Sequence, residues 1–247
     1  MNMKKTFTVL ASALFVLTLQ AQDTADIDDV TTYWVADLAA LPEDKQVIYT
    51  NNFAAAKRAY SRSSFSECER YLDVCESLYD KNPNVWNLRA SVRIAQQQYE
   101  EAVPFLEKVR DISPDDLVVC LNYSLLHLGA GRYQDAIDEV DVLLDELKYK
   151  EQMQGLYHSL LFRKFLCLLM LDKEDEARAL VRDISPMVPA PLYYYCQSVF
   201  AVVDGNRALA LREMSTADKI YSQDAYLNTY KQNIKFSGIL KKYSLPK

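Results

Sequence analysis

Tyr99-Glu-Glu-Ala-Val103 returns as Tyr133-Gln-Asp-Ala-Ile137, 34 residues further on. A third copy stands 34 residues upstream at Phe65-Ser-Glu-Cys68. The later apolar positions keep the same step, through Leu72, Leu106 and Val140 and again through Cys75, Val109 and Leu143. Self-similarity at a fixed period of this length marks stacked helical hairpins, each burying its apolar face only against its neighbours.

Working outward from that stretch, helical spacing predicts five hairpins. The first pairs Gln46–Ser61 with Phe65–Tyr79 and closes at Asn82-Pro83. The second opens with Trp86 and Ala90, continues through Tyr99, Ala102, Leu106, Val109 and Ile112, and stops at Ser113-Pro114. Pro104 lies early in its second helix, where the missing N–H predicts a slight bend or a later helix start. The third pairs Leu117–Leu128 with Tyr133–Leu147 across Gly129-Ala130-Gly131-Arg132, where glycine tolerates the positive φ of a helix C-terminus.

The fourth hairpin comes late: Ala177 follows Ala136 by 41 residues, and Ala210 follows Ala177 by 33. Seven extra residues are nearly two helical turns, so they can lengthen a helix while its buried face stays turned inward. They fall between Leu147 and Leu156, as extended helix or as a loop around Gly155. The pair itself is Leu156–Leu171 with Glu174–Ile184, and its first helix is apolar on nearly all sides, which requires burial from several directions. The fifth is Leu192–Val203 with Arg207–Tyr221. Val30–Leu41, stopped by Pro42, flanks the array on one side. Asp224–Lys241 flanks it on the other, with Tyr226, Leu227, Tyr230, Ile234 and Leu240 on one face, as a cap with a polar outer side.

The second hairpin resembles a tetratricopeptide repeat at Trp86, Ala90, Tyr99, Ala102 and Pro114, which match that family's Trp, small, Tyr, Ala and Pro marks. The third agrees at Tyr123, Ser124, Tyr133, Ala136 and Val140. It departs where Cys120 stands for tryptophan, and the second departs where Leu88 comes one early and Arg89 takes the usual leucine's place. The resemblance, to an exported bacterial member, implies an all-α, right-handed α-solenoid of about five antiparallel helix pairs with flanking helices. It also implies a concave groove, lined by the first helix of each pair, that holds a partner's peptide or helix. Carried over by register, the groove comprises Asn84, Asn87 and Ser91, then Val118, Leu121, Leu125 and Leu128, then Phe162 and Leu166, then Tyr195 and Val199. The family's clamp for a C-terminal carboxylate is not matched, since only Asn84 and Asn87 could contribute to it. An apolar wall of that size is either open to a partner or filled by the protein itself, by Asp224–Lys241 or by a second copy.

Lys4 and Lys5, an apolar Phe7–Leu19 and Leu19-Gln20-Ala21 form the three parts of a cleavable signal. Thirteen apolar residues make about 20 Å of helix, short of a bilayer core of about 30 Å. The expected layout is therefore a signal at 1–21, an acidic lead and helix at 22–45, repeats over 46–223 and a terminal helix over 224–247. Loss of Lys4 and Lys5 moves the net charge from −6 to −8. Such a surface repels phosphate backbones, which argues against nucleic acid. Half of the residues are hydrophobic, and 5 glycines and 8 prolines are few; that composition favours helices with a self-sufficient core over hairpin sheets.

The 5 cysteines include no CxxC. Cys68 and Cys75 on one helix stand about 10 Å apart along its axis, beyond bridging range. Packing as small hydrophobes is the simplest role for all five. The 2 histidines, His127 and His158, lack a convergent second group. Asp115-Asp116 and the Asp172, Glu174, Asp175, Glu176 cluster read as helix caps and dipole partners. The Tyr193-Tyr194-Tyr195 run could stack on a sugar, though aromatics at a helix start serve more simply as core. No phosphate loop, zinc spacing or nucleophile elbow is present.

The expected protein is a non-enzymatic, cofactor-free interaction scaffold, periplasmic or secreted, that binds another protein and has no stable membrane span after cleavage. A homo-oligomer, a structural subunit of an outer-membrane or secretion assembly, and a carrier of an apolar ligand stand as alternatives.

Overall fold

The computed structural model describes residues 33–114, 116–188 and 190–243. The expected signal at 1–21 and the acidic lead before Tyr33 lie outside the described residues, as do Asp115, Pro189 and the last four positions. Thirteen α-helices, one 3₁₀ turn and no strand occur among the described residues. They fall into two compact units, divided between Asn122 and Tyr123.

Unit 1 holds α1 (Tyr33–Ala39), α2 (Glu43–Ser61), α3 (Phe65–Leu78), α4 (Pro83–Ala95), α5 (Tyr99–Arg110) and the first part of α6 (Leu117–Gly129). Local chemistry sets these boundaries. Asn82 accepts a bond from the Asn84 amide at 2.9 Å, with Pro83 at the first helical position, the arrangement that satisfies an orphan donor and pre-sets φ. Asp116 Oδ1 accepts from Val118 and Val119 at 2.8 and 3.1 Å. Tyr49, Ala56, Tyr60, Cys68, Leu72, Cys75, Val85 and Leu88 make a core shared by α2, α3 and α4. Pro104 sits exposed inside α5, which runs unbroken from Tyr99 to Arg110, so the expected later start does not occur.

Arg89, in place of the family's leucine, is buried and reaches back to α3. It pairs with Glu69, with Asp73 at 2.6 Å and with Glu76 at 2.8 Å. Burial alone would lower its pKa, but the three carboxylates more than offset that and raise it.

Unit 2 holds the rest of α6, then α7 (Tyr133–Leu147), a 3₁₀ turn (Glu151–Met153), α8 (Gln154–Met170), α9 (Glu174–Leu180), α10 (Leu192–Val203), α11 (Arg207–Ile220), α12 (Leu227–Ser237) and α13 (Ile239–Lys242). The seven-residue surplus appears as longer helices plus the 3₁₀ turn: α7 has 15 residues and α8 has 17, against 13 and 12 in α4 and α5. α8 is the centre of the unit, packed by α7, α9, α10, α12 and α13, which accounts for its lack of a polar face. α9 stops at Leu180, short of the expected Ile184. The expected last helix is two pieces, parted at Gly238, whose φ of 73° ends α12.

One turn recurs five times. Ser63, Gln97, Gly131, Asp172 and Gly205 all take positive φ, between 59° and 75°. In each case the next residue's amide donates back to a carbonyl five positions earlier: Ser64 to Ala59, Gln98 to Arg93, Arg132 to His127, Lys173 to Leu168 and Asn206 to Ala201, at 2.7–2.9 Å. That bond caps the first helix of each pair and reverses the chain. Five residues after each turn stands a small buried side chain, at Cys68, Ala102, Ala136, Ala177 and Ala210. Tyr99 and Tyr133 are both half-buried. The hairpins thus repeat side-chain environment as well as sequence.

Candidate functional site

The register that places a partner on the first helices ends differently in the two units. In unit 2, Phe162 and Leu166 of α8, Tyr195 and Val199 of α10 and Leu128 of α6 are almost fully buried, while Leu125 is half-buried. The cover is α12. Its Tyr230 ring lies 5.1 Å from the rings of both Phe162 and Tyr195 and stacks on the latter at 26°. Arg163, inside the same wall, donates through Nε to Asn233 Oδ1 at 3.2 Å and through its terminal nitrogen to the Ser124 hydroxyl. Asn233 Nδ2 in turn donates to the Ser159 carbonyl at 3.3 Å. Burial, the principal cause, lowers the Arg163 pKa to about 10.

Both ends of this segment are fixed as well. A Cβ added at Gly155 would lie 2.5 Å from the Tyr226 ring, so the absence of a side chain on α8 admits the tyrosine. The Tyr133 hydroxyl donates to the Ser237 carbonyl at 3.0 Å. Lys242 Nζ donates to the Leu169 and Met170 carbonyls at 3.0 and 3.1 Å and pairs with Asp172 at 2.6 Å, filling acceptors that the end of α8 leaves open. Of the alternatives for that wall, open to a partner or filled by the protein itself, the α8 and α10 part follows the second: the aromatic stripe of the expected Asp224–Lys241 segment lies on it, and Phe162, Leu166, Tyr195 and Val199, like Leu128 of α6, are buried.

In unit 1 the same register carries polar groups. Asn84 is half-buried, whereas Asn87, Ser91, Val118 and Leu121 are buried, so these four are not an open apolar surface. Ser91 Oγ donates to the Asn87 carbonyl at 2.9 Å, and Asn122 approaches both Asn87 Oδ1 and Ser91 Oγ at 3.5 Å. The Tyr60 hydroxyl bonds Ser91, while burial raises its pKa. Amides and hydroxyls held against one another in this way satisfy groups that would be costly to bury alone.

Register reasoning that begins at Asn84 misses one hairpin. One period before Asn84, Asn87 and Ser91 stand Thr50, Phe53 and Lys57. Thr50 is exposed and Phe53 half-buried, with Lys57 Nζ 5.2 Å from the Phe53 ring centroid. The 34-residue step, applied once more upstream, is the signal that finds them.

The remaining candidates disperse. His127 stacks on Tyr123 at 5.9 Å and has Asp135 3.9 Å away. Burial holds the His158 pKa below its ordinary value. His127, Asp135, Asp138, Glu139 and Val142 border an open hollow of about 430 Å³. No group of three His, Cys, Asp or Glu residues placed to hold a metal occurs among the described residues. Also among them, no helix is long and apolar enough to cross a membrane. Tyr195 is core, its hydroxyl donating to Asp218 at 3.2 Å, while Tyr193 and Tyr194 form a half-buried edge-to-face pair at 5.2 Å. All five cysteines are buried, and none of them forms a disulfide. Burial lifts the thiols of Cys68, Cys75 and Cys167 to about 12 and that of Cys196 well above its usual value, which suppresses the reactive thiolate.

Residues 93–161 match the family model described as tetratricopeptide repeat. Those residues carry tetratricopeptide repeat sequence. A crystal structure of a tetratricopeptide repeat protein from Parabacteroides merdae superposes with a TM-score of 0.53 at 12% identity, covering 91% of this chain and 90% of that one. At that identity the likeness concerns the fold, and it reaches well beyond the matched residues. No curated protein sequence matches the chain. The tetratricopeptide fold serves in general as a non-enzymatic protein-interaction scaffold, because its stacked hairpins present side chains along a row of first helices.

Proposed function

We propose that this chain is an exported scaffold of a bacterial cell envelope, whose first-helix faces bind a helical or extended segment of another protein. The observation that carries the reading is α12 itself: a helix lies along the register where a tetratricopeptide repeat receives its partner, held by ring stacking and by side-chain hydrogen bonds. The first-helix face of unit 2 is thus chemically able to hold a helix. In unit 1 the accessible part of that register is Thr50, Phe53, Lys57 and Asn84, an aromatic ring with a cation above it and polar neighbours. Carriage of a small apolar ligand gains no support from the unit 2 face, where Phe162, Tyr195 and Tyr230 already fill the space.

Crosslinking in intact cells followed by purification tests the reading. Wild-type protein is expected to capture a defined partner, and Lys57→Glu combined with Asn84→Arg to lose it. Equal capture by both proteins would remove the unit 1 face from the proposal. Export is tested separately: the mature protein in the envelope fraction should begin at Gln22.

A further inference from the structure

α12 and α13 are the last of the described helices, and both pack on α8. The surface beneath them has a definite chemistry. Phe162 and Tyr195 form an aromatic floor, the Arg163 guanidinium and the Ser159 carbonyl lie beside it, and Gly155 gives a notch for one further ring. α12 fills this slot with Tyr226 in the notch, Tyr230 on the floor and Asn233 bridging arginine and carbonyl.

We propose that α12 is a displaceable intramolecular ligand, and that in its place the slot accepts a partner's amphipathic helix bearing a tyrosine and, three residues later, an asparagine. This rests on the scaffold reading above. The physical case is one of ordering. α12 has 11 residues and α13 has 4, below the roughly 12–15 residues needed for even a marginal isolated helix. Once off the surface the segment therefore regains chain entropy, whereas a longer helix already folded in its own protein offers the same contacts without that ordering cost. Polar bonds to Arg163 and Ser159 set the register at an otherwise apolar contact, so a helix lacking the asparagine leaves those groups unmet.

The test uses the full chain and a fluorescein-labelled peptide of residues 221–243, read by anisotropy. The full chain carrying Tyr230→Ala and Asn233→Ala, whose own α12 loses its hold while the slot on α8 and α10 is unchanged, is expected to bind the wild-type peptide at least tenfold more tightly than the wild-type chain does. The peptide carrying Tyr230→Ala and Asn233→Ala should bind neither protein. Hydrogen exchange on unmodified wild type is the second measurement, and it decides the matter should the doubly substituted chain fail to fold: α12 amides should exchange at least tenfold faster than those of α8. Exchange of α12 and α8 at one common rate, or no gain in peptide binding by a folded Tyr230→Ala, Asn233→Ala chain, would overturn the proposal. Partner capture through Lys57 and Asn84 that persists under either result leaves the scaffold reading standing, so the two fail separately.

Discussion

Units 1 and 2 use the same hairpin and the same turn, yet their first-helix faces differ in kind. In unit 1 the register positions are Asn87, Ser91 and their neighbour Asn122, which satisfy one another. In unit 2 the corresponding positions are Phe162 and Tyr195, which stack against a helix supplied by the chain itself. The backbone period fixes where side chains stand, and the side chains then decide whether a face is closed by amides or by an added helix. A repeat can thus keep its scaffold and change its occupancy by exchanging two or three residues per hairpin.

The sharpest challenge to this contrast is Tyr230→Ala. Loss of a fully buried ring from the unit 2 face should cost about 3–5 kcal/mol, read by urea denaturation, whereas Phe53→Ala at a half-buried position should cost about 1 kcal/mol. Equal losses would erase the distinction between an occupied and an unoccupied face. Next comes Asn233→Ala, which strips Arg163 and the Ser159 carbonyl of a partner and should cost about 1–3 kcal/mol. Asn122→Ala, whose contacts are at 3.5 Å, should cost less than 1 kcal/mol, about what a long, weak bond contributes.

A pH experiment compares the two cores. Each unit contains two buried thiols with raised pKa, Cys68 and Cys75 in one and Cys167 and Cys196 in the other. The folded state keeps them protonated, and the unfolded state releases the proton near the ordinary value of 9. Stability is thus fully present below pH 9 and falls as pH rises toward 12, by about 1.4 kcal/mol per pH unit for each thiol. Urea midpoints at pH 8.5 and pH 10 should show the drop, and Cys167→Ala or Cys68→Ala should each flatten it. A pH-independent midpoint would mean that the thiols meet water. The turns complete the series with effects of similarly small size. Gly131→Ala and Gly205→Ala should each cost about 1 kcal/mol, because a Cβ is strained at positive φ, and Gln97→Gly should shift the thermal midpoint slightly the other way.

The 34-residue step placed most of the helices correctly because it is carried by buried positions such as Ala102, Leu106, Ala136 and Val140, whose spacing has only one geometric meaning. The positive-φ turns were visible where glycine marks them, at Gly131 and Gly205. They were hidden at Ser63, Gln97 and Asp172, which take the same conformation without a signature residue. The state of the candidate face was harder to read. Tyr230 and Ile234 announce an apolar stripe, but periodicity within one helix does not say which other helix it meets. Nothing local to Gly155 announces that Tyr226 lies over it, since that contact joins residues 71 positions apart. Phe53 and Lys57 could have been found, because they need only the period and no knowledge of packing.

The five recurring turns have a consequence for how such a chain could be edited. Ser63 and Gln97 occupy the same place in the same reversal, so excising residues 64–97 would connect Ser63 directly to Gln98 and leave a junction of identical shape. The excised block contains α3 and α4 whole, and what remains pairs α2 with α5. Length in this protein is accordingly a countable variable, adjustable in whole modules at seams that already agree with one another.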